Sequence, residues 1–177
     1  MSSIIKVNTY QDANGNALFS SDGSGNVTTS ATGLQNTPAF EAYLSSNQNL
    51  SNDTVTKILF DTEVFDSDGC YDNTTNYRFT PTVAGKYKLY TVIYYDSVTS
   101  GTEILINFDK NGSQVTQFKI NTKDGVKSYY TSTIVTANGS TDYFEVDSRH
   151  NSGVTEPVVG NASIKFTYFG GYRLIGA

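Results

Sequence analysis

The chain is 177 residues long, enough for one compact domain with a short appendage. Only 16% of its residues are charged and the net charge is -5, which argues against a cationic nucleic-acid-binding surface; no cluster of Lys and Arg stands out against that balance. The 13 Tyr and 10 Phe, set among abundant Ser, Thr, Asn and Gly, suit aromatic strands joined by short polar turns, as in an all-β extracellular or virion protein.

The first 37 residues read differently from the rest. Ile4, Ile5 and Val7 begin a short strand, and Asp12-Ala-Asn-Gly-Asn16 turns the chain. Ala17-Leu-Phe19 is a second short strand, Ser21-Asp-Gly-Ser-Gly-Asn26 a second turn, and Val27-Thr-Thr29 a third strand. So few apolar residues cannot bury a core, so this arm is expected to gain structure from neighbours, either copies of itself or another protein. The opening Met-Ser-Ser-Ile-Ile-Lys-Val lacks the apolar stretch of a signal peptide, and no apolar run approaches the roughly 20 residues of a membrane span. The expectation is a protein made in a cytoplasm, with no membrane insertion, that reaches the outside by lysis or within a particle.

From Pro38 onward strands are expected near 38–45, 54–66, 76–81, 85–96, 102–110, 114–121, 128–137, 141–148 and 163–175. Asp68-Gly69, Ala84-Gly85, Asn111-Gly112, Asp124-Gly125 and Asn138-Gly139 mark the turns, and the two Asn-Gly pairs sit between alternating runs as hairpin signals. No helical periodicity competes. About nine to ten short strands at this spacing predict a jelly-roll β-sandwich, with residues 1–37 as a hairpin-rich arm and 38–177 as the head.

The segment Asn76–Tyr95 is the most informative. Pro81 removes a backbone donor and Gly85 permits a positive φ, so the chain turns between them. Beyond Gly85, Tyr87, Leu89, Thr91, Ile93 and Tyr95 share one face; Lys86, Lys88, Tyr90, Val92 and Tyr94 share the other. The last strand likewise alternates Phe166, Tyr168, Gly170 and Tyr172 with Thr167, Phe169, Gly171 and Arg173. Aromatic rings on both faces of a strand exceed what a soluble monomer exposes, so Tyr90, Val92, Tyr94 and Phe169 are expected to line a homotrimer interface. A single cysteine, Cys70, permits no intrachain disulfide and leaves burial or oligomerisation to hold the fold.

The order of blocks resembles the jelly-roll heads of the complement component q and tumour-necrosis-factor superfamily. The blocks are Pro38-Ala-Phe40, Tyr77-Arg-Phe-Thr-Pro81, Gly85-Lys-Tyr87, Asn107-Phe-Asp-Lys-Asn-Gly112, Ile134-Val-Thr-Ala-Asn-Gly139, Asp142-Tyr-Phe-Glu-Val146 and the closing Ser163–Ile175. The resemblance covers residues 38–176 and implies a barrel core built by the Phe, Pro, Gly and Tyr of these blocks. Ile5-Lys-Val7 followed by Asp12-Ala-Asn-Gly-Asn16, and then residues 22–26, is similar to the arms of marine bacteriophage structural proteins of this type. No collagen-like stalk is present, which sets the chain apart from secreted animal members.

Candidate chemistry is sparse. Asp66, Asp68 and Asp72 around Gly69 offer hard oxygen ligands for calcium, an ion the resemblance places near the trimer axis in some members; solvated turn carboxylates are the alternative. No other cofactor is expected. His150 is the only histidine and sits on a Ser-rich stretch, too little for a catalytic triad. The tyrosines suit either a sugar platform or an interface.

These readings converge on a non-enzymatic bacteriophage virion protein: a homotrimeric fibre or knob whose residues 1–37 bind other virion proteins of capsid or tail. Its head would adhere to a host surface glycan or protein through loops 66–75, 96–101, 121–128 and 148–162. The alternatives are a capsid decoration or cement protein without a receptor, and a small surface-directed hydrolase.

Overall fold

The computed structural model describes residues 7–31, 34–123 and 128–176. The strand expected from Ile4 and Ile5 and the turn at Asp124-Gly125 lie outside the described residues. The strands, in chain order, are β1 (Thr9–Gln11), β2 (Ala17–Ser21), β3 (Val27–Thr29), β4 (Ala39–Tyr43), β5 (Gln48–Leu50), β6 (Thr56–Lys57), β7 (Thr62–Asp66), β8 (Tyr71–Asp72), β9 (Arg78–Phe79), β10 (Gly85–Tyr94), β11 (Glu103–Lys110), β12 (Ser113–Asn121), β13 (Ser128–Ala137), β14 (Phe144–His150), β15 (Glu156–Val158) and β16 (Tyr168–Arg173).

Two antiparallel sheets make the sandwich. One has the order β13-β10-β16-β4-β7; the other runs β12-β11-β14-β9-β8, with β6 also paired to β14. The short pair β15-β5 stands beside them, and β1-β2-β3 form a sheet of their own. The alternation along β10 sets the packing: Tyr87, Leu89, Thr91, Ile93 and Tyr95 are all fully buried. Opposite them the second sheet supplies Ile104, Ile106 and Phe108 from β11 and Phe144 and Val146 from β14. Aromatic contacts knit the two layers. Phe40 stacks on Tyr71 at 4.8 Å and on Phe79 at 4.4 Å, and meets Phe169 edge-on at 4.9 Å.

Several expectations change for local reasons. The single strand expected over 54–66 is two, β6 and β7. Between them Ile58 and Phe60 drop into the core, and the Leu59 N–H bonds to the Gln48 side chain instead of a neighbouring strand. Asn111-Gly112 does close the β11–β12 hairpin, with φ of 54° and 74° and Lys110 facing Ser113. Asn138-Gly139 does not make a hairpin, because β13 and β14 belong to different sheets. There Asn138 Oδ1 accepts the N–H groups of Ser140, Thr141 and Asp142, and Gly139 (φ 74°) passes so close to Ala84 that a Cβ would overlap its backbone. His150 lies not on a loop but at the end of β14, fully buried.

Candidate functional site

The outer face of the five-stranded sheet is the candidate site. Register fixes its rows: Tyr90 faces Ser132 on β13 and Gly170 on β16, Gly170 faces Glu41 on β4, and Glu41 faces Phe65 on β7. One step along, Val92 lies between Tyr130 and Tyr168. Gly170 has no side chain, so the Tyr90 ring lies across it; a Cβ at 170 would overlap that ring. The Tyr90 hydroxyl donates to Glu41 Oε2 at 2.9 Å, Lys165 pairs with Glu41 Oε1, and Lys88 Nζ donates to Ser132 Oγ at 2.7 Å. Tyr168 meets Tyr90 edge-on at 6.4 Å and carries the Lys165 ammonium 5.8 Å above its ring. Tyr94 stacks on Phe166 at 5.3 Å.

These groups enclose an open cavity of about 630 Å³ lined by Glu41, Lys88, Tyr90, Tyr130, Lys165 and Tyr168. Burial, then the Glu41 hydrogen bond and charge, raise the Tyr90 phenol above its ordinary range; burial, then Glu41, raise Tyr168. The Tyr90 phenol is thus kept as a neutral donor to Glu41. Around the cavity Tyr130 is 62% exposed and Ile134 59%, with Val64 and Phe65 also uncovered along the β7 edge. The face therefore exposes large apolar rings around a Glu41 paired with Lys165 and Tyr90, with Lys88 bonded to the Ser132 hydroxyl and Lys86 exposed toward one end.

Of the residues expected at an interface, Tyr90, Val92 and Tyr94 stand on this face, with Val92 already buried between its tyrosine neighbours. Phe169 does not. Its partner across the ladder is Thr91, an inward residue, and its fully buried ring lies between Phe40, Phe60, Tyr71 and Phe108 in the core. Tyr130, Ile134, Glu41 and Lys165 were not foreseen. The outward alternation of Tyr130 and Ile134 within 128–137 was the available signal.

The expected calcium ligands do not converge. Asp66 Oδ2 accepts the Tyr71 N–H at 2.7 Å, and Asp68 Oδ2 accepts the Ser67 hydroxyl at 2.6 Å. Asp72 accepts the N–H groups of Thr74, Thr75 and Asn76 and the Asn76 amide, and those bonds, Thr75 first, hold its carboxyl well below the usual range. These carboxylates serve turn N–H groups, and among the described residues no three His, Cys, Asp or Glu side chains group to hold a metal. His150 is also engaged structurally, its Nε2 3.1 Å from the Leu50 carbonyl and its Nδ1 3.1 Å from Ser152 Oγ.

No protein-family profile matches the chain, and no curated protein matches it. Solved structures do. The vertex protein P5 of PRD1 is similar over 77% of this chain and 96% of its own, with a TM-score of 0.57 at 12% identity. Murine APRIL matches over 77% and 98% with a TM-score of 0.55, and the Eiger TNF of S. frugiperda over 78% and 93% with 0.54, each at 12% identity. The chain thus carries the tumour-necrosis-factor-like jelly roll. At this identity the likeness establishes the fold alone.

Proposed function

We propose that the chain is a non-enzymatic structural protein of a bacteriophage particle, a homotrimeric fibre- or knob-like appendage. Residues 1–37 attach it to the particle, and residues 38–177 form a head for adhesion to the host surface. The observation that carries this reading is the aromatic outer face of the five-stranded sheet. Fully burying one side chain such as Tyr130 or Ile134 contributes about 1.5–3 kcal/mol. Several per chain offset an association cost of about 4–15 kcal/mol. Glu41 at the centre of the face is already paired with Lys165 and Tyr90, so covering it leaves no bare carboxylate, while Lys86 and Lys88 lie toward one end of the face. Threefold closure is what the resemblance to this superfamily implies, and the likeness to the PRD1 vertex protein P5 supports a virion setting.

Light scattering on the full chain tests the assembly; the expected mass is about three times 19.3 kDa. A folded monomer across the micromolar range refutes it. Labelled trimers applied to host cells and to fibreless or undecorated particles test the role. Host-cell binding supports adhesion, whereas binding to capsids alone makes the protein a cement.

A further inference from the structure

The arm repeats itself every ten residues. Asp12-Ala-Asn-Gly-Asn-Ala17 returns as Asp22-Gly-Ser-Gly-Asn-Val27. In the first loop Asp12 Oδ1 accepts the N–H groups of Asn14 and Asn16 at 2.8 and 2.9 Å, and Oδ2 accepts the Asn16 amide at 2.9 Å. In the second, Asp22 does the same with Ser24, Asn26 and the Asn26 amide at 2.7, 3.2 and 2.6 Å. Both aspartates are the only charged residues between positions 7 and 31, and both are spent on their own loops. The repeat is a device for laying down strands in register.

That register makes the small sheet two-faced. Thr9, Ser20 and Thr28 form one row of hydroxyls, with Ser20 Oγ 2.6 Å from Thr28 Oγ1. On the other face Tyr10 stands directly opposite Phe19, and Val27, paired with Ser21, lies beside them. These three are 57%, 41% and 67% exposed, and with Val7 they border an open apolar hollow of about 170 Å³. A sheet of three such short strands, at the threshold of independent stability, gains from a partner that covers its apolar face. The edge strands β1 and β3 carry neither charge nor proline to discourage a neighbour.

The linker says which neighbour is at hand. Gln35 Nε2 donates to the Thr29 carbonyl at 2.6 Å, and the Arg173 N–H donates to the Asn36 carbonyl at 3.2 Å. The arm is thereby tied to β16, a central strand of the sheet whose outer face is the candidate site. If that face closes a trimer, three arms leave from around one axis at an effective concentration of about millimolar or more. An uncharged aromatic face at that concentration meets its own copies first.

We propose that residues 7–31 form a collar in which the Tyr10–Phe19–Val27 face of each chain packs against the same face of the other two copies. The proposal rests on the homotrimer reading. The test uses the full chain, with light scattering for mass and hydrogen exchange for the arm. The wild-type chain is expected as trimers with slow amides in β1–β3. A Tyr10→Ser, Phe19→Ser double variant is expected to stay trimeric through its head while those amides exchange at least about tenfold faster. Phe19→Cys should form interchain disulfides under mild oxidation, and Thr28→Cys on the hydroxyl face should not; Cys70 is buried and silent. A monomeric wild-type chain overturns the trimer and the collar together. Trimers with freely exchanging arm amides overturn the collar alone and leave that face to another protein, as does cross-linking through position 28 in preference to 19.

Discussion

Replacing Asp147 by Asn should stabilise the protein above neutral pH. Asp147 sits on the outer face of the six-stranded sheet, 7% exposed, with Asn107 facing it from β11 and Lys57 from β6. Asn107 Nδ2 donates to its Oδ1 at 2.6 Å. Lys57 gives it no counter-charge, because its ammonium goes to Glu145 at 2.8 Å and to the Asn76 carbonyl at 3.1 Å. Burial first, then the hydrogen bond and negative charge of Asp109, push the Asp147 carboxyl up to about 8.

The sign follows from linkage. An acid whose folded pKa is raised binds its proton more tightly when folded. Its contribution is complete below the unfolded value near 4 and is lost as pH climbs from about 4 to about 8. A rise of about four pH units at about 1.4 kcal/mol each sets an upper bound of about 5–6 kcal/mol. Asp109 beside it is only half-buried and solvent screens the interaction, so about 1–3 kcal/mol is the expected effect. Asn keeps the shape, accepts from Asn107 and donates to Asp109 without ionising. The assay is urea unfolding at pH 5, 7 and 9, at one fixed protein concentration because assembly contributes to apparent stability. The wild-type chain should lose stability between pH 5 and 9 more steeply than the variant, and the variant should be the more stable at pH 9. Equal slopes, or a variant weaker at pH 9, would show that Asp147 ionises in the fold at no cost.

Gly139→Ala should cost on the order of 2–4 kcal/mol in urea unfolding, since φ is 74° and the new methyl overlaps the Ala84 backbone. Phe169→Ala should cost about 3–5 kcal/mol of stability through its core cavity. Tyr130→Asp, on the exposed face, should instead leave circular dichroism unchanged and give monomers by light scattering; a folded trimer would remove Tyr130 from the interface. Gly170→Ala should displace the Tyr90 ring and break its bond to Glu41, weakening trimers by about tenfold or more while the monomer stays folded.

What could be read from the sequence was whatever is set locally. The period of two along residues 85–95 separated inward from outward residues before any partner strand was known, and Asn111-Gly112 fixed its hairpin through backbone φ alone. The last strand was harder because both of its alternating sets carry aromatics. Only the ladder partners, Thr91 for Phe169 and Val92 for Tyr168, decide which ring turns inward. β5, β8 and β15 have two or three residues each, too few for a period to show. Asn138-Gly139 has the composition of a hairpin turn but carries a crossing between sheets, a tertiary choice that the dipeptide does not encode.

The two outer faces of the sandwich differ in a way that bears on the proposed interface. The six-stranded sheet shows water a lattice of charge: Arg149 bonds Glu103 and Asp53, Lys119 pairs with Glu103, and Lys57 pairs with Glu145. Such a surface is costly to desolvate and discourages close approach by another sheet. The five-stranded sheet reverses the pattern. Lys165 turns to Glu41 and Lys88 to Ser132, a glycine makes room for Tyr90 to lie flat, and aromatic rings fill much of the remainder. On the proposed reading, the charged side faces water and the aromatic side is the one covered in the trimer. The same reading accounts for tyrosines beyond those the core needs: Tyr90, Tyr130 and Tyr168 would be buried by the proposed trimer rather than by the sandwich.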